Sequence, residues 1–258
     1  MLFETLLTGK NDQIGTISLN RPKQFNTFSS TMARELSEAL IQMERDEEIR
    51  VVVVKGEGKA FSTGIDVSEF EGKTASEYHA WINLMNEMNM TIASMGKPVI
   101  ASIHGFAVAN GAGILAAVDF AIVAEGTKIG TSAINVGLLC TGPIIPLSYS
   151  LSKKKALEML LSGDMIDAEE ANNLGIINRV VPLEELDEET RAFAAKLIDK
   201  SPVAVRLGKK FYYEMMDMTF RQKFALADEV FARLCMTDDA REGVSAFLEK
   251  RKPEWKGR

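Results

Sequence analysis

Cysteine and histidine are scarce in this chain, two of each among 258 residues: Cys140, Cys235, His79 and His104. They stand singly, with no C-x-x-C or H-E-x-x-H spacing, so neither a disulfide framework nor a metal site is expected. Long apolar runs are missing as well. The most apolar stretch, residues 98–124, is cut by His104, Asn110 and Asp119, short of the roughly 18 uninterrupted apolar residues of a membrane span. Residues 1–5 place no basic region before an apolar run, so secretion is not expected and a cytoplasmic location is. There is no basic excess either: 30 Lys/Arg against 36 Asp/Glu give a net charge of −6, which argues against nucleic acid as a partner.

What remains is a chain of ordinary soluble composition, 46% hydrophobic and 26% charged, long enough for one large domain or a domain with an appendage. Charge divides it. Residues 1–195 are net −10, whereas residues 196–258 carry 14 Lys/Arg and 10 Asp/Glu. That basic end is also helical, with apolar residues at three- and four-residue spacing over 202–216, 219–236 and 238–250. We therefore divide the chain into a core, 1–201, and a C-terminal helical segment, 202–258. In the core, short runs rich in β-branched residues (13–19, 50–55, 98–103, 119–124 and 176–181) read as strands. They alternate with helical patterns at 29–45, 76–94, 153–161 and 168–174. The unbroken Val51–Val54 run suggests a strand covered on both faces, as in a parallel sheet with crossover helices, so the fold class is α/β.

Several motifs fail on context. Gly111 to Ala116 matches G-x-G-x-x-G/A, but no acid lies in residues 129–142, where a dinucleotide fold needs one. Tyr149 and Lys153 fit Y-x-x-x-K, yet the glycine motif does not open the chain. Gly72-Lys73-Thr74 lacks the first glycine of a phosphate loop, which is Val67 here, and no G-x-S-x-G occurs. Two small-residue turns say more: residues 59–67, and residues 103–113 leading into a helix from about Gly111. Free amides at a helix start form an anion site, and an amide from the Gly64 turn would complete an oxyanion hole.

These residues carry a family resemblance. Leu19-Asn20-Arg21-Pro22-Lys23 with Asn26, Ala60 to Val67, His104 to Gly113 with Asp119, Ala168 to Pro182, and Ala246 to Pro253 resemble, in order, five segments of the crotonase (enoyl-CoA hydratase/isomerase) superfamily. The resemblance implies a spiral of ββα turns, a C-terminal helical segment that forms a homotrimer or a dimer of trimers, and an acyl-CoA thioester as substrate. Coenzyme A enters only as part of that substrate, with no tightly bound cofactor. The oxyanion amides fall on Ile65 and Asn110, the latter where the family commonly has glycine. Contacts to CoA are expected from Arg21, Lys23, Phe25, Ala60, Ser62, Thr63 and Gly64. Because CoA is polyanionic and the core is acidic, Lys209, Lys210 or residues 250–252 are expected to attract it from the other side.

The acids are where the chain departs. Two positions that the resemblance gives to hydratase glutamates hold Gly113 and Ala133, and a position used for a carboxylate by isomerases holds Thr141. The expected chemistry is an acyl-CoA lyase or isomerase working through an enolate-like thioester oxygen. A hydrolase or decarboxylase of the same fold, or a non-catalytic acyl-CoA-binding protein, is the alternative. Cys140 is a candidate nucleophile or acid, although a lone cysteine in an apolar run more often serves as a small hydrophobe. Asp66 is a candidate for turn fixing or direct chemistry, His104 for packing, Asp119 for capping or pairing, and Met85, Met88, Met90 and Met95 for core or acyl-pocket lining. Phe220, Phe224 and Phe231 are too apolar to leave in water and point to an interface.

Overall fold

The computed structural model describes residues 2–258. Its main sheet begins with an antiparallel hairpin, β1 (Leu6–Asn11) and β2 (Ile14–Leu19), and continues in parallel through β3 (Val51–Gly56) and β4 (Val99–Ile103). Between β2 and β4 lie the crossover helices α1 (Ser30–Arg45) and α2 (Ala75–Ser94). Ser29 starts α1 by accepting from the Met32 amide, and a Thr74/Glu77 capping box starts α2. These are sequence-coded starts, because short polar side chains satisfy amides that the first turn leaves without acceptors.

Beyond β4 the chain forms a small parallel pair around a central helix: β5 (Phe106–Val108), α3 (Asn110–Ala117), β6 (Phe120–Ala124) and β7 (Lys128–Gly130). Strand β6 joins the main sheet beside β4, while β5 and β7 start the second sheet. Next come α4 (Ile144–Ser150), α5 (Lys153–Ser162), β8 (Met165–Asp167), α6 (Ala168–Asn173), β9 (Arg179–Val181) and α7 (Leu186–Ile198). Strand β8 pairs antiparallel with β7, and β9 closes the main sheet beside β6.

The valine run behaves as its composition demands. Side chains alternate across a strand, so Val52 and Val54 enter the large core with α1 and α2, while Val51 and Val53 enter a smaller one with Leu186 and Ala194 of α7. Both faces are covered. The α/β class and the element order thus match expectation. Helices α4 and α7, strand β1 and the three short strands of the second sheet were not anticipated, and the expected strand at 176–181 is confined to Arg179–Val181.

From Pro202 to Glu249 the chain runs through three helices, α8 (Pro202–Met215), α9 (Phe220–Cys235) and α10 (Asp238–Glu249), before an irregular end. Helix α8 is anchored to the sheet by a buried network. Asp119, at the start of β6, accepts from the Val99 amide at 2.7 Å, the Lys209 ammonium at 2.7 Å and the Tyr213 hydroxyl at 3.1 Å. By contrast α9 buries no residue fully, and Phe220, Phe224, Phe231, Phe247 and Leu248 stand exposed.

Candidate active site

The site forms just beyond the carboxyl ends of β3 and β4, the end of a parallel sheet where ligands bind. After β3, residues 60–66 run between two neighbours. On one side the Phe61 amide donates to His104 O and the Ser62 amide to Phe106 O; on the other the Thr63 amide donates to Phe25 O. Gly64 O then accepts from the Phe28 amide and the Asp66 amide donates to Phe28 O. Because alternate residues of a strand face opposite ways, the Ile65 N–H points away from Phe28 and has no acceptor among the described residues.

After β5 the chain turns into α3 through Ala109, whose φ of 49° and ψ of −112° lie where a residue with a Cβ is strained. Its amide is held by Gly130 O at 2.8 Å. The first intrahelical bond runs from Gly113 N to Ala109 O, which leaves the Asn110 amide without an acceptor among the described residues. The two turns touch. A Cβ at Gly64, itself at φ +104°, would come within 2.8 Å of the Ala109 Cβ, and a Cβ at Gly111 within 2.4 Å of Ser62 O. Only glycine allows this approach.

The substituted acid positions gather in one place. The segment 132–143 folds back so that a Cβ at Gly113 would meet Pro143 at 3.2 Å, while Leu138 donates to Ala133 O. Cys140 is buried there, its thiol facing the Ala133 amide. Burial pushes that thiol up and the Ala133 N–H only partly offsets it, so at neutral pH it is a protonated small hydrophobe. Iodoacetamide at pH 7.5 is expected to leave Cys140 unlabelled until denaturant is added, as checked by peptide mass spectrometry. Thr141 is exposed.

Other expected residues take supporting roles. Burial works to raise the Asp66 carboxyl, but hydrogen bonds from Ser68 and from the Arg21 guanidinium outweigh it and hold the group below the usual carboxylate range. Arg21 is itself spent, bonded to Asp66 at 2.7 Å and to Thr27 O at 2.7 Å. Ser62 is fully buried with its hydroxyl on Asn26 O, and Ala60 O accepts from the side-chain Nδ2 of Asn26, so both brace the turn. Lys209 is a correction: its ammonium is sealed against Asp119, with 6% of the side chain exposed, and it cannot reach a phosphate. Arg251 is held by Glu242 and Glu249, and Lys252 by Asp199. Lys23, Lys210 and the edge of Phe25 remain exposed. His104 bonds Gly58 O at 2.8 Å. Met85, Met88 and Met95 are core, whereas Met90 is 73% exposed.

Two asparagines were missed on α2. Asn86 packs its carboxamide against Gly142, where a Cβ would lie 2.0 Å from Asn86 Oδ1, and Asn89 Oδ1 is buried with no partner among the described residues. The signal was available: Asn83, Asn86 and Asn89 repeat every three residues on a helix whose other face is methionine. A surface cleft of about 490 Å³, lined by Arg45, Arg50, Arg206 and Trp255 among others, lies at the opposite, amino end of the strands and contains none of these groups.

A family model described as enoyl-CoA hydratase/isomerase matches residues 9–258. The mitochondrial enoyl-CoA hydratase domain-containing protein 3 of Mus musculus is 33% identical over 249 residues, 96% of this chain and 83% of its own length. The crystal structure of an enoyl-CoA hydratase from Mycobacterium smegmatis superposes with a TM-score of 0.95 at 37% identity, covering 97% of this chain and 98% of that one. The human enoyl coenzyme A hydratase domain-containing protein 3 gives 0.94 at 33% identity, with coverage of 98% and 100%.

Proposed function

The chain belongs to the enoyl-CoA hydratase/isomerase family, and from that premise we propose that it binds an acyl-CoA thioester with the thioester oxygen between the amides of Ile65 and Asn110. The observation that supports this is the pair of uncommitted N–H groups on two turns that touch at Gly64 and Ala109. Fixed donors of this kind stabilise charge that develops on the thioester oxygen when a proton leaves the neighbouring carbon, and one such donor is worth roughly 3–4 kcal/mol in comparable sites. A crystal structure with butyryl-CoA is the test: the oxygen should sit about 2.7–3.1 Å from both nitrogens, and amides pointing apart would remove the reading.

The side chains of this chain do less for proton transfer. Asp66 is ion-paired, Cys140 is held protonated, and Gly113, Ala133 and Thr141 carry no carboxylate. We therefore assign polarisation of the thioester as the main contribution of the protein, with an isomerase- or lyase-type reaction following from it and no tightly bound cofactor. Lys23, Lys210 and Lys250 are the cations left to meet the CoA phosphates, since each is exposed and none has an ion-pair partner among the described residues.

The exposed phenylalanines of α9 and α10 support assembly of the C-terminal helices, 202–258, into a trimer or a pair of stacked trimers, because closed symmetry is the economical cover for a large apolar face. Light scattering at micromolar concentration is expected to give three or six times the 28.4 kDa chain mass; a monomer would contradict this.

A further inference from the structure

Asn110 departs from its surroundings in a way that the backbone role of its amide does not use. It stands at the first position of α3 and is only 5% exposed, yet its carboxamide makes no hydrogen bond to any described residue. A buried amide without partners is costly unless a ligand supplies them. The group is not sealed into the core either, since among the described residues only Ser37 Oγ and Asn89 Oδ1 are buried side-chain polar atoms fully enclosed without a partner. A few covalent bonds separate this carboxamide from the N–H proposed to hold the thioester oxygen.

A second carboxamide comes from the other wall. Gly113, in the first turn of α3, is covered by Pro143; Gly142 precedes it, and Asn86 lies directly against Gly142. Asn86 is half-buried and also has no hydrogen-bond partner among the described residues. The end of α3 is thus flanked by two main-chain N–H donors and two neutral carboxamides, with neither a free carboxylate nor a cation in the same turns.

That donor set has a chemical preference. A plain thioester offers one oxygen, which the two main-chain amides already serve. A 3-oxoacyl thioester offers two, and when its C2 proton passes to solvent the electron pair spreads over both. It ionises far more readily than a plain thioester, so it needs no strong base from the protein. Neutral donors favour the charged form of whatever accepts from them.

Resting on the acyl-CoA reading above, we propose that Asn110 and Asn86 form a second oxygen subsite that selects a 3-oxoacyl-CoA over a thioester with a hydrocarbon chain. Both are specificity-determining residues in this assignment.

The test compares acetoacetyl-CoA with butyryl-CoA by titration calorimetry on the purified full-length protein, and follows the near-ultraviolet absorption of the acetoacetyl-CoA enolate at pH 7.5. Acetoacetyl-CoA is expected to bind at least about tenfold tighter, from one or two additional hydrogen bonds, with the enolate band growing on binding. Both effects should shrink in Asn110→Gly, which keeps the main-chain N–H, and in Asn86→Leu, which lies on a different helix and guards against a folding defect in the first variant. Equal affinities in the wild type, or a preference retained by both variants, would overturn the proposal while leaving acyl-CoA binding intact. Failure of both thioesters to bind would remove the acyl-CoA reading and this subsite with it.

Discussion

Crotonyl-CoA hydration by this protein is expected to run at least about 10³-fold slower than in a relative with both glutamates, the middle of the range for general acid–base help. The reasoning is local. Water added across a double bond must lose a proton to one group and the acyl carbon must gain one from another, and Gly113 and Ala133 do neither. The candidate ionisable groups of these segments are engaged, Asp66 by Arg21 and Ser68, and Cys140 by burial. Restoring the acid is not a single step. A Cβ at Gly113 would lie 3.2 Å from both Cα and Cβ of Pro143, so Gly113→Glu alone overpacks the start of α4, at about 1–3 kcal/mol. Gly113→Glu with Ala133→Glu is expected to gain hydration only where the backbone at residue 143 gives by a few tenths of an ångström, which Pro143→Gly eases by removing the ring and Cβ although Cα stays. Loss of enoyl absorbance measures the rate, and wild-type turnover at the level of a glutamate-bearing relative would show that another group moves the proton.

The largest effect on stability is expected from Lys209→Met. Asp119 and Lys209 are 10% and 6% exposed at 2.7 Å separation, so removing the ammonium strands a buried carboxylate, at about 3–5 kcal/mol. Burial already pushes Asp119 up and Lys209 down against the attraction of their own pair; without Lys209 the carboxyl rises further. The pH dependence comes from proton count. A carboxyl whose folded value is raised binds a proton in the folded state before the unfolded chain does, so stability falls as pH rises from the ordinary 3.8 through the raised folded value. The deficit of the variant should therefore be full at neutral pH and shrink toward acid. Urea melts at pH 7.5 and pH 5 check this, and a deficit that is equal or larger at pH 5 would contradict it. Asp119→Asn combined with Lys209→Met should recover part of the loss, because no charge then stays buried.

Why some of this was legible and some was not has a physical reason at each position. The Val51–Val54 run announces a strand buried on both faces, since it is short and wholly β-branched, which favours a strand over a buried helix turn. Strand β1 announced little, because most of Leu6–Asn11 is exposed and its pairing comes from β2. The Gly64 and Gly111 turns were readable from small residues alone. The fate of cations was not. Arg21 and Lys209 have the charge to attract a phosphate, but partners 45 and 90 residues away claim them, and sequence spacing does not reveal such pairings. Asn86 and Asn89 escaped notice for the opposite reason, as neutral residues in a segment dominated by methionine, and at Asn110 only the main-chain amide was read, not the carboxamide.

The Asp119–Lys209 link also sets a schedule for synthesis. Asp119 leaves the ribosome 90 residues before its partner, an interval of about 5–18 s at common elongation rates. For that time β4 and β6 can pair, but the carboxylate at their amino end has no cation to meet, and the sheet cannot close over it without cost. Water must stay at that end until α8 arrives. The order of assembly is therefore written into the chain: the strands that carry the two turns come first, and the last helices seal them.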